Sequence, residues 1–531
     1  MQLLRKTATV LGTLTLLRLA AACDGPVMPT EPSVTPAPGV LSANNNGSGG
    51  TTHWVNDDDP NGGIYVPRGS SCNNPGYPKI QDAVNAAGPG DRINVCRGTY
   101  PEQVLIPATK NGIRLISVDR WRAVIKAPPI MLPGPAGTFS IVRVAGAQNV
   151  TLLAFTITGP GPGPCMSLHY GVRVDNAGSA NILGNHITHI RDEPMSNCEN
   201  GIAILVGRNS ELETGSAQII GNVIDNYQRI GPTVSGNGST AYIAHNRVFG
   251  VGPTAINVQA GIQMSDGGAG TIRHNFVAQN IYSPHTSSAH GILMYQSGKA
   301  SIEHNTVPSN DVGVYMFRAG AGTTVIDNRV RASKFDGVTV DGTDNSQVAH
   351  NDIDHSGGPG IAVNVAQNNT LDRNHILYNT DSGVLFFMST LNVVSSNRVR
   401  NNGNGALDQT DGIRIDGAST ANRIFDNRLK RNITHDCHDN AVGNVWTDNR
   451  GETSQPPGLC GEEDTEVASD DVMTSSEFGW NASYPWYTDY ADAAEVDWTD
   501  AYAEFDTESL LALVPAIPLG TVRGLTLRPY R

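Results

Sequence analysis

HNTVPSNDVGVYMFRAGAGTTVIDNRV, from His304 to Val330, opens and closes on nearly the same residues, HNTV and DNRV. Its two asparagines, Asn305 and Asn328, are 23 residues apart. Asn followed two residues on by Val, Ile or Leu recurs at Asn185, Asn222, Asn246, Asn275, Asn305, Asn328, Asn351, Asn374, Asn397 and Asn427. The intervals are 37, 24, 29, 30, 23, 23, 23, 23 and 30. Four successive intervals of 23 are the pitch of a repeat.

A second marker keeps step with the first. Gly followed by an apolar residue stands at 171, 201, 261, 291, 313, 337, 360, 383 and 412, which is 8 or 9 residues after the asparagine in short units and 15 or 16 in long ones. The insertions therefore fall at one corner. Each unit reads as three short strands, such as GVTV (337–340), QVAH (347–350) and DI (352–353). Alternation turns Val338 and Val340 inward and Thr339 and Asp341 outward. A unit this short encloses no core alone, so units stack coil on coil into an all-β parallel β-helix of about twelve coils. The recurring asparagine is expected in the turn between two strands, in a left-handed backbone. Its amide would bond the equivalent residue one coil away, giving a ladder through Asn305, Asn328, Asn351, Asn374 and Asn397.

Composition sets the context. The 531 residues include 58 Gly, only 16% are charged, and the formal net charge is −14. MQLLRKTATVLGTLTLLRLAAAC has a basic start, a short apolar run and three alanines before Cys23. It is too short and interrupted for a membrane span. It resembles a lipoprotein export signal with Cys23 as the lipidated residue, departing from that pattern at Ala20 and Arg18; ordinary signal cleavage is the alternative. Residues 24–52, rich in Pro, Ser, Gly and Asn, read as a disordered linker. The six cysteines after Cys23 form local pairs, Cys72 with Cys96, Cys165 with Cys198 and Cys437 with Cys460, which suits disulfides in an exported protein; no CxxC occurs, which argues against zinc.

Residues 461–531 form a separate tail. Glu462 to Glu508 holds fifteen Asp and Glu, with no Lys, Arg or His between Arg450 and Arg523. The body is therefore near neutral, which argues against nucleic acid as partner. The tail is expected to be largely disordered and solvated. The sharper alternative is a segment docking on the body or a partner through Trp480, Trp486, Tyr487, Tyr490, Trp498 and Tyr502.

From TTHWVNDDDPNGGIYV through YPKIQDAVNAAGPGDRINVCRGTYPEQVLI to the repeats, the chain resembles bacterial right-handed β-helix proteins of the pectate-lyase-like superfamily. The resemblance spans roughly Trp54 to Cys460. It implies a single-stranded right-handed parallel β-helix, a three-faced solenoid over 53–460. IQDAVNAA, with Ile80, Val84 and Ala87 at helical spacing, would be the short N-terminal capping helix, and HDCHDNAVGNVWTDNRGETSQPPGLC the terminal coil. The superfamily hosts lyases, hydrolases, epimerases, esterases and proteins with no known reaction, so function rests on the site.

Two and four residues after each glycine, the outward positions hold Arg173 and Asp175, Gln263 and Ser265, Leu293 and Tyr295, Tyr315 and Phe317, Thr339 and Asp341, Ala362 and Asn364, Leu385 and Phe387, Arg414 and Asp416. Tyr295, Tyr315 and Phe317 fall on adjacent coils, beside the insertion before Gly291, and suggest a groove for a sugar chain. Near them lie His290, Arg318, Lys334, Asp336 and Asp341, the catalytic candidates. A lyase acting on uronic acids needs a cation facing the carboxylate and a base for the C5 proton. NTDSG (379–383) resembles the Asn-Thr-Asp of polygalacturonases, but the Asp-Asp, Gly-His-Gly and Arg-Ile-Lys companions are absent. Acid-rich NDDDPNGG (56–63) and DGTDNSQ (341–347) make Ca²⁺ a candidate ion, with Asx turns as the alternative. The expectation is an exported, monomeric, surface-tethered or secreted protein. It binds and degrades an extracellular polysaccharide by β-elimination rather than hydrolysis, and touches the membrane only through the N-terminal lipid. The rival is a non-catalytic carbohydrate-binding module, adhesin or stalk.

Overall fold

The computed structural model describes residues 50–58, 65–403 and 410–461. The export-type segment with Cys23, most of the linker, part of NDDDPNGG and the acidic tail from Glu462 lie outside the described residues. Among those described, three parallel sheets run the length of the body. The first has 15 strands, from Thr52–Val55 to Val445–Thr447; the second has 13, from Gly98–Pro101 to Arg428–Lys430; the third has 14, from Val104–Pro107 to Ser454–Gln455. Except for the last pair of the third sheet, neighbours in each sheet are three strands apart in sequence, so the chain visits the sheets in turn. One coil is Ala300–Glu303 on the first sheet, Thr306–Pro308 on the second and Val312–Phe317 on the third.

Alternation explains the lining. Ile302, Val307, Val314 and Met316 of one coil and Val325, Val330, Val338 and Val340 of the next are fully buried, part of one apolar core from Val55 to Cys437. Burying each such side chain contributes about 1.5–3 kcal/mol. At the N-terminal end the helix Ile80–Ala86 turns Ile80, Ala83 and Val84 onto the first coil. Its first backbone amides, Ile80 and Gln81, donate to the Glu102 carboxylate at 2.8 and 2.9 Å.

The asparagines line up at the corner between the first and second sheets. Asn305 donates from its backbone N–H and from Nδ2 to Oδ1 of Asn328, both at 2.9 Å, and Nδ2 also reaches the Ile272 carbonyl at 2.9 Å. The same bonds run from Asn185 to Asn449. The left-handed residue, however, is the one before each asparagine: His304, Asp327, His350 and Arg373 have φ of 53°, 56°, 56° and 52°. The asparagine must aim its amide into the turn, so its predecessor takes the reversal and sends its own side chain outward. As a result His245, His274 and His304 stack as parallel rings with centroids 5.0 Å apart.

Two further polar columns pin the other corners. Asn280 bonds Asn310 between the second and third sheets, and the chain Asn379, Asn402, Asn432 continues that corner to Asp436. Between the third and first sheets, Ser346, Asn369, Asn392, Asn422 and Asn444 bond in sequence. Asn379 of NTDSG is thus a corner residue.

The repeated glycine has a steric cause. A Cβ on Gly313 would lie 2.2 Å from Cγ1 of Val330 and 2.6 Å from the Gly337 carbonyl oxygen; on Gly337 it would meet Ile353 at 2.4 Å. Only glycine lets the third sheet begin this close to the second. The disulfides Cys72–Cys96, Cys165–Cys198 and Cys437–Cys460 have Cα separations of 5.6, 5.8 and 6.2 Å.

Candidate functional site

The outer face of the third sheet carries two rows in strict register. One runs Arg173, Leu205, Thr233, Gln263, Leu293, Tyr315, Thr339, Ala362, Leu385, Arg414, His438. The other runs Ser265, Tyr295, Phe317, Asp341, Asn364, Phe387, Asp416. The corner between the second and third sheets carries long connections, residues 127–139, 159–169, 189–201, 255–259 and 283–289, along one edge of this face.

At the N-terminal end the face is closed, which corrects the outward reading of Arg173 and Asp175. Both are fully buried. Arg173 bonds Asp175, Glu211 of the 208–213 segment and Thr138 of the preceding connection, while Arg143 also reaches Asp175 at 3.0 Å. Insertions folded over these strands, and every charge there has a partner.

Further along, the face opens onto an aromatic cluster. Tyr295 is 43% exposed and its ring stacks on Phe317 at 5.3 Å. Tyr315 stacks on His290 at 5.0 Å and donates its hydroxyl to Asp341 at 2.8 Å. Asp336 accepts from Thr339 at 2.8 Å. Burial holds His290 near pKa 4, so it is a neutral ring at pH 7, and pushes Asp336 up to about 6. The Tyr315 hydroxyl is pushed up by burial and by the Asp341 carboxylate it bonds. Thus His290, Tyr295, Tyr315, Phe317, Asp336 and Asp341 come together. The two expected cations flank them: Arg318, at the far corner, lies over the Phe317 ring at 5.1 Å, and Lys334 is exposed at the near corner. Of the calcium candidates, Asp341 accepts from Tyr315 and Asp344 from Gln367 at 2.8 Å, so both carboxylates already serve protein donors.

Four strands beyond Tyr315, the same face holds a second cluster absent from the sequence-based candidates. Asp411, fully buried, accepts from His435 Nδ1 at 3.0 Å through one oxygen; through the other it pairs with His438 Nδ1 at 2.9 Å and Arg414 at 2.9 Å. Arg414 is also bound to Asp416 at 2.9 Å, and His438 Nε2 lies 2.9 Å from Asn440. Burial opposes the charge on Asp411, but hydrogen bonds from His438 and Arg414 outweigh it and hold its pKa low. The bond to Asp411 in turn raises His438 above its ordinary value. His435 is half-buried with its Nδ1 tied to Asp411, the arrangement that orients an imidazole for proton transfer. Asp411, His435 and His438 have ligand atoms within 4.8 Å of one another, compatible with a divalent ion. Arg414 already supplies the positive charge there, which favours proton chemistry over metal binding. The sequence signal was available: His438 lies 24 residues after Arg414, one repeat on, but HDCHDN reads first as the terminal coil.

Comparison places this architecture among known proteins. No curated protein matches the sequence. Among solved structures, the periplasmic alginate epimerase AlgG is 14% identical, with 71% of this chain and 83% of that chain covered and a TM-score of 0.39. The Azotobacter vinelandii mannuronan C-5 epimerase AlgE4 A-module is 14% identical over 76% of this chain and 99% of that one, TM-score 0.34. DFA-IIIase from Arthrobacter chlorophenolicus A6 is 15% identical over 67% and 85%, TM-score 0.37. The family described as right handed beta helix region matches residues 140–330 and 290–450, more than half of the chain. With its three parallel sheets and stacked corners, the protein belongs to the right-handed β-helix family.

Proposed function

We propose that this is an exported protein that binds an extracellular polysaccharide along the outer face of the third sheet and cleaves it by β-elimination. The observation that carries the reading is the register that aligns the open aromatic cluster with the Asp411–His435–Arg414 group on one face. Four strand spacings separate Tyr315 from Arg414, about 19 Å. Thr339, Ala362 and Leu385 floor the path between them. Ring faces of Tyr295, Tyr315 and Phe317 suit sugar C–H surfaces, and the strand spacing is close to the length of one sugar unit in an extended chain.

In this reading His435 Nε2 removes the C5 proton of a uronate whose carboxylate faces Arg414. The electron pair forms the C4–C5 double bond, the C4–O bond breaks, the leaving oxygen takes a proton from solvent water, and the imidazolium of His435 returns its proton to the hydroxide left behind. Asp411 holds His435 in the tautomer that leaves Nε2 as acceptor. The disulfides fit an oxidising compartment, and among the described residues no helix is long and apolar enough to cross a membrane. Lipidation at Cys23, a monomeric state and the 53–460 boundaries belong to the same proposal.

The test incubates the purified protein with a panel of uronate polymers and reads absorbance of unsaturated ends. Activity lost in His435→Ala, with folding intact by circular dichroism, is the expected result. The second reading, a binding module, is favoured by Arg414 being saturated between Asp411 and Asp416. Silence across the panel with retained binding in affinity electrophoresis selects it.

A further inference from the structure

Along the edge of the third face that carries the long connections, Asp192 and Asp411 have both carboxylate oxygens bonded. Asp192 accepts from Asn200 through one oxygen and Ser196 through the other, and Asp411 does so from His435 and Arg414. Asp311, fully buried on the same edge, differs. Its Oδ2 accepts the backbone N–H of Tyr282 at 2.7 Å and of Ala289 at 2.9 Å, and so clamps both ends of the 283–289 connection. Its Oδ1 is buried with no hydrogen-bond partner. A buried acceptor left unpaired costs stability, so its retention calls for a reason.

The group facing that oxygen sits on the clamped connection. His285 brings Nδ1 to 3.7 Å from Asp311 Oδ1, just beyond hydrogen-bond reach. It takes a left-handed backbone, φ 66°, which residues other than glycine adopt rarely. Its ring meets Phe335 edge-on at 5.8 Å, and Phe335 donates its backbone N–H to the Asp311 carbonyl at 2.7 Å. The His285 side chain is 33% exposed, and its Nε2 has no hydrogen-bond partner among the described residues.

The pair adjoins the aromatic cluster. Asp311 immediately precedes Val312–Phe317, the strand of Tyr315 and Phe317, and Ala289 immediately precedes His290, whose ring stacks on Tyr315. A carboxylate facing Nδ1 fixes the hydrogen of the neutral ring there and leaves the lone pair on Nε2. Asp411 holds His435 in the same way at the other end of the face.

We propose that His285 is a sugar-binding residue at the aromatic end of the third face, its Nε2 accepting a hydrogen bond from a sugar hydroxyl, and that Asp311 is its positioning residue. Binding draws the ring onto Asp311 and closes the gap at Oδ1. The proposal rests on the sugar-binding reading and adds to it a hydroxyl-bearing unit held beside the 283–289 connection.

Affinity electrophoresis of the full chain in gels of polygalacturonate, alginate or hyaluronate tests it. H285A should bind about tenfold more weakly, the size expected for one hydrogen bond. In D311N the amide oxygen keeps both backbone bonds while its N–H₂ turns to His285 and reverses the tautomer, so it should lose as much as H285A. The double variant should lose no more than either single one, because both act through one ring. H285A binding like wild type, or losses that add, overturns the proposal. Y295A/Y315A/F317A losing retardation while H285A keeps it removes this inference and leaves the sugar reading standing; a wild type retarded in none of the gels removes both. As an arm independent of sugar, nitrogen-15 histidine spectra at pH 8, assigned with H285A, should show the Nδ1–H tautomer in wild type and the Nε2–H tautomer in D311N. An Nε2–H tautomer in wild type overturns the proposal.

Discussion

Asn351 shows how much one residue holds. Its Nδ2 donates to the carbonyls of Val325 and Ala349 and to Asn374, and its Oδ1 accepts the backbone and side-chain N–H of Asn328. Leucine fits the space but strands these buried groups, so Asn351→Leu should lose about 3 kcal/mol of stability. Thermal denaturation measures it, and activity well below the melting range should be intact; a stable but inactive variant would contradict a structural role. The histidine stack at the same corner titrates. Burial first, then His245, Arg273 and His304, lowers His274 from 6.5 to about 4. Between those values the unfolded chain binds the proton and the folded one does not. The contribution is therefore complete above about pH 6.5 and is lost as pH falls toward 4. Asparagine tolerates the left-handed backbone, so His274→Asn should lose less stability than wild type between pH 7 and pH 5; equal losses would remove the stack as the cause. The asparagine column was legible because a corner residue repeats at the pitch of the coil. The reversal one residue earlier was not, since His, Asp, Arg and Ser share that position and no single residue type marks it.

At the level of the strand, alternation was enough to place Tyr295, Tyr315 and Phe317 on one outer face. It was not enough to show which parts of that face stay open. Arg173 and Asp175 obey the same alternation as Tyr315 and Phe317, yet segments distant in sequence cover them. The Asp411 group was missed for a related reason: its members come from adjacent coils, 24 and 27 residues from Asp411, and converge only through register. The other two polar columns had the same spacing as the first, with Asn369 and Asn392 again 23 apart, and could have been read by the same scan. The glycine at the head of the third-sheet strand gives a strand-level prediction. Gly313→Ala pushes a methyl against Val330 and the next coil's backbone, and should cost about 1–3 kcal/mol. Chemical denaturation reads the loss, and a neutral result would mean that the corner yields.

Over the whole molecule, one short unit repeated builds the solenoid, and insertions and outward rows make its faces differ. Connections at both edges of the third sheet, carrying Thr138 and Glu211, buried the N-terminal part of its face, while Tyr295 and Phe387 further along stay exposed. The proposed binding of sugar along the third face is read by affinity electrophoresis in anionic polysaccharide gels. The combined variant Y295A/Y315A/F317A should lose retardation while R398Q/R400Q/R428Q, altered on the last strands of the second sheet, keeps it. Unchanged migration of the aromatic variant, or loss confined to the arginine variant, would contradict the account.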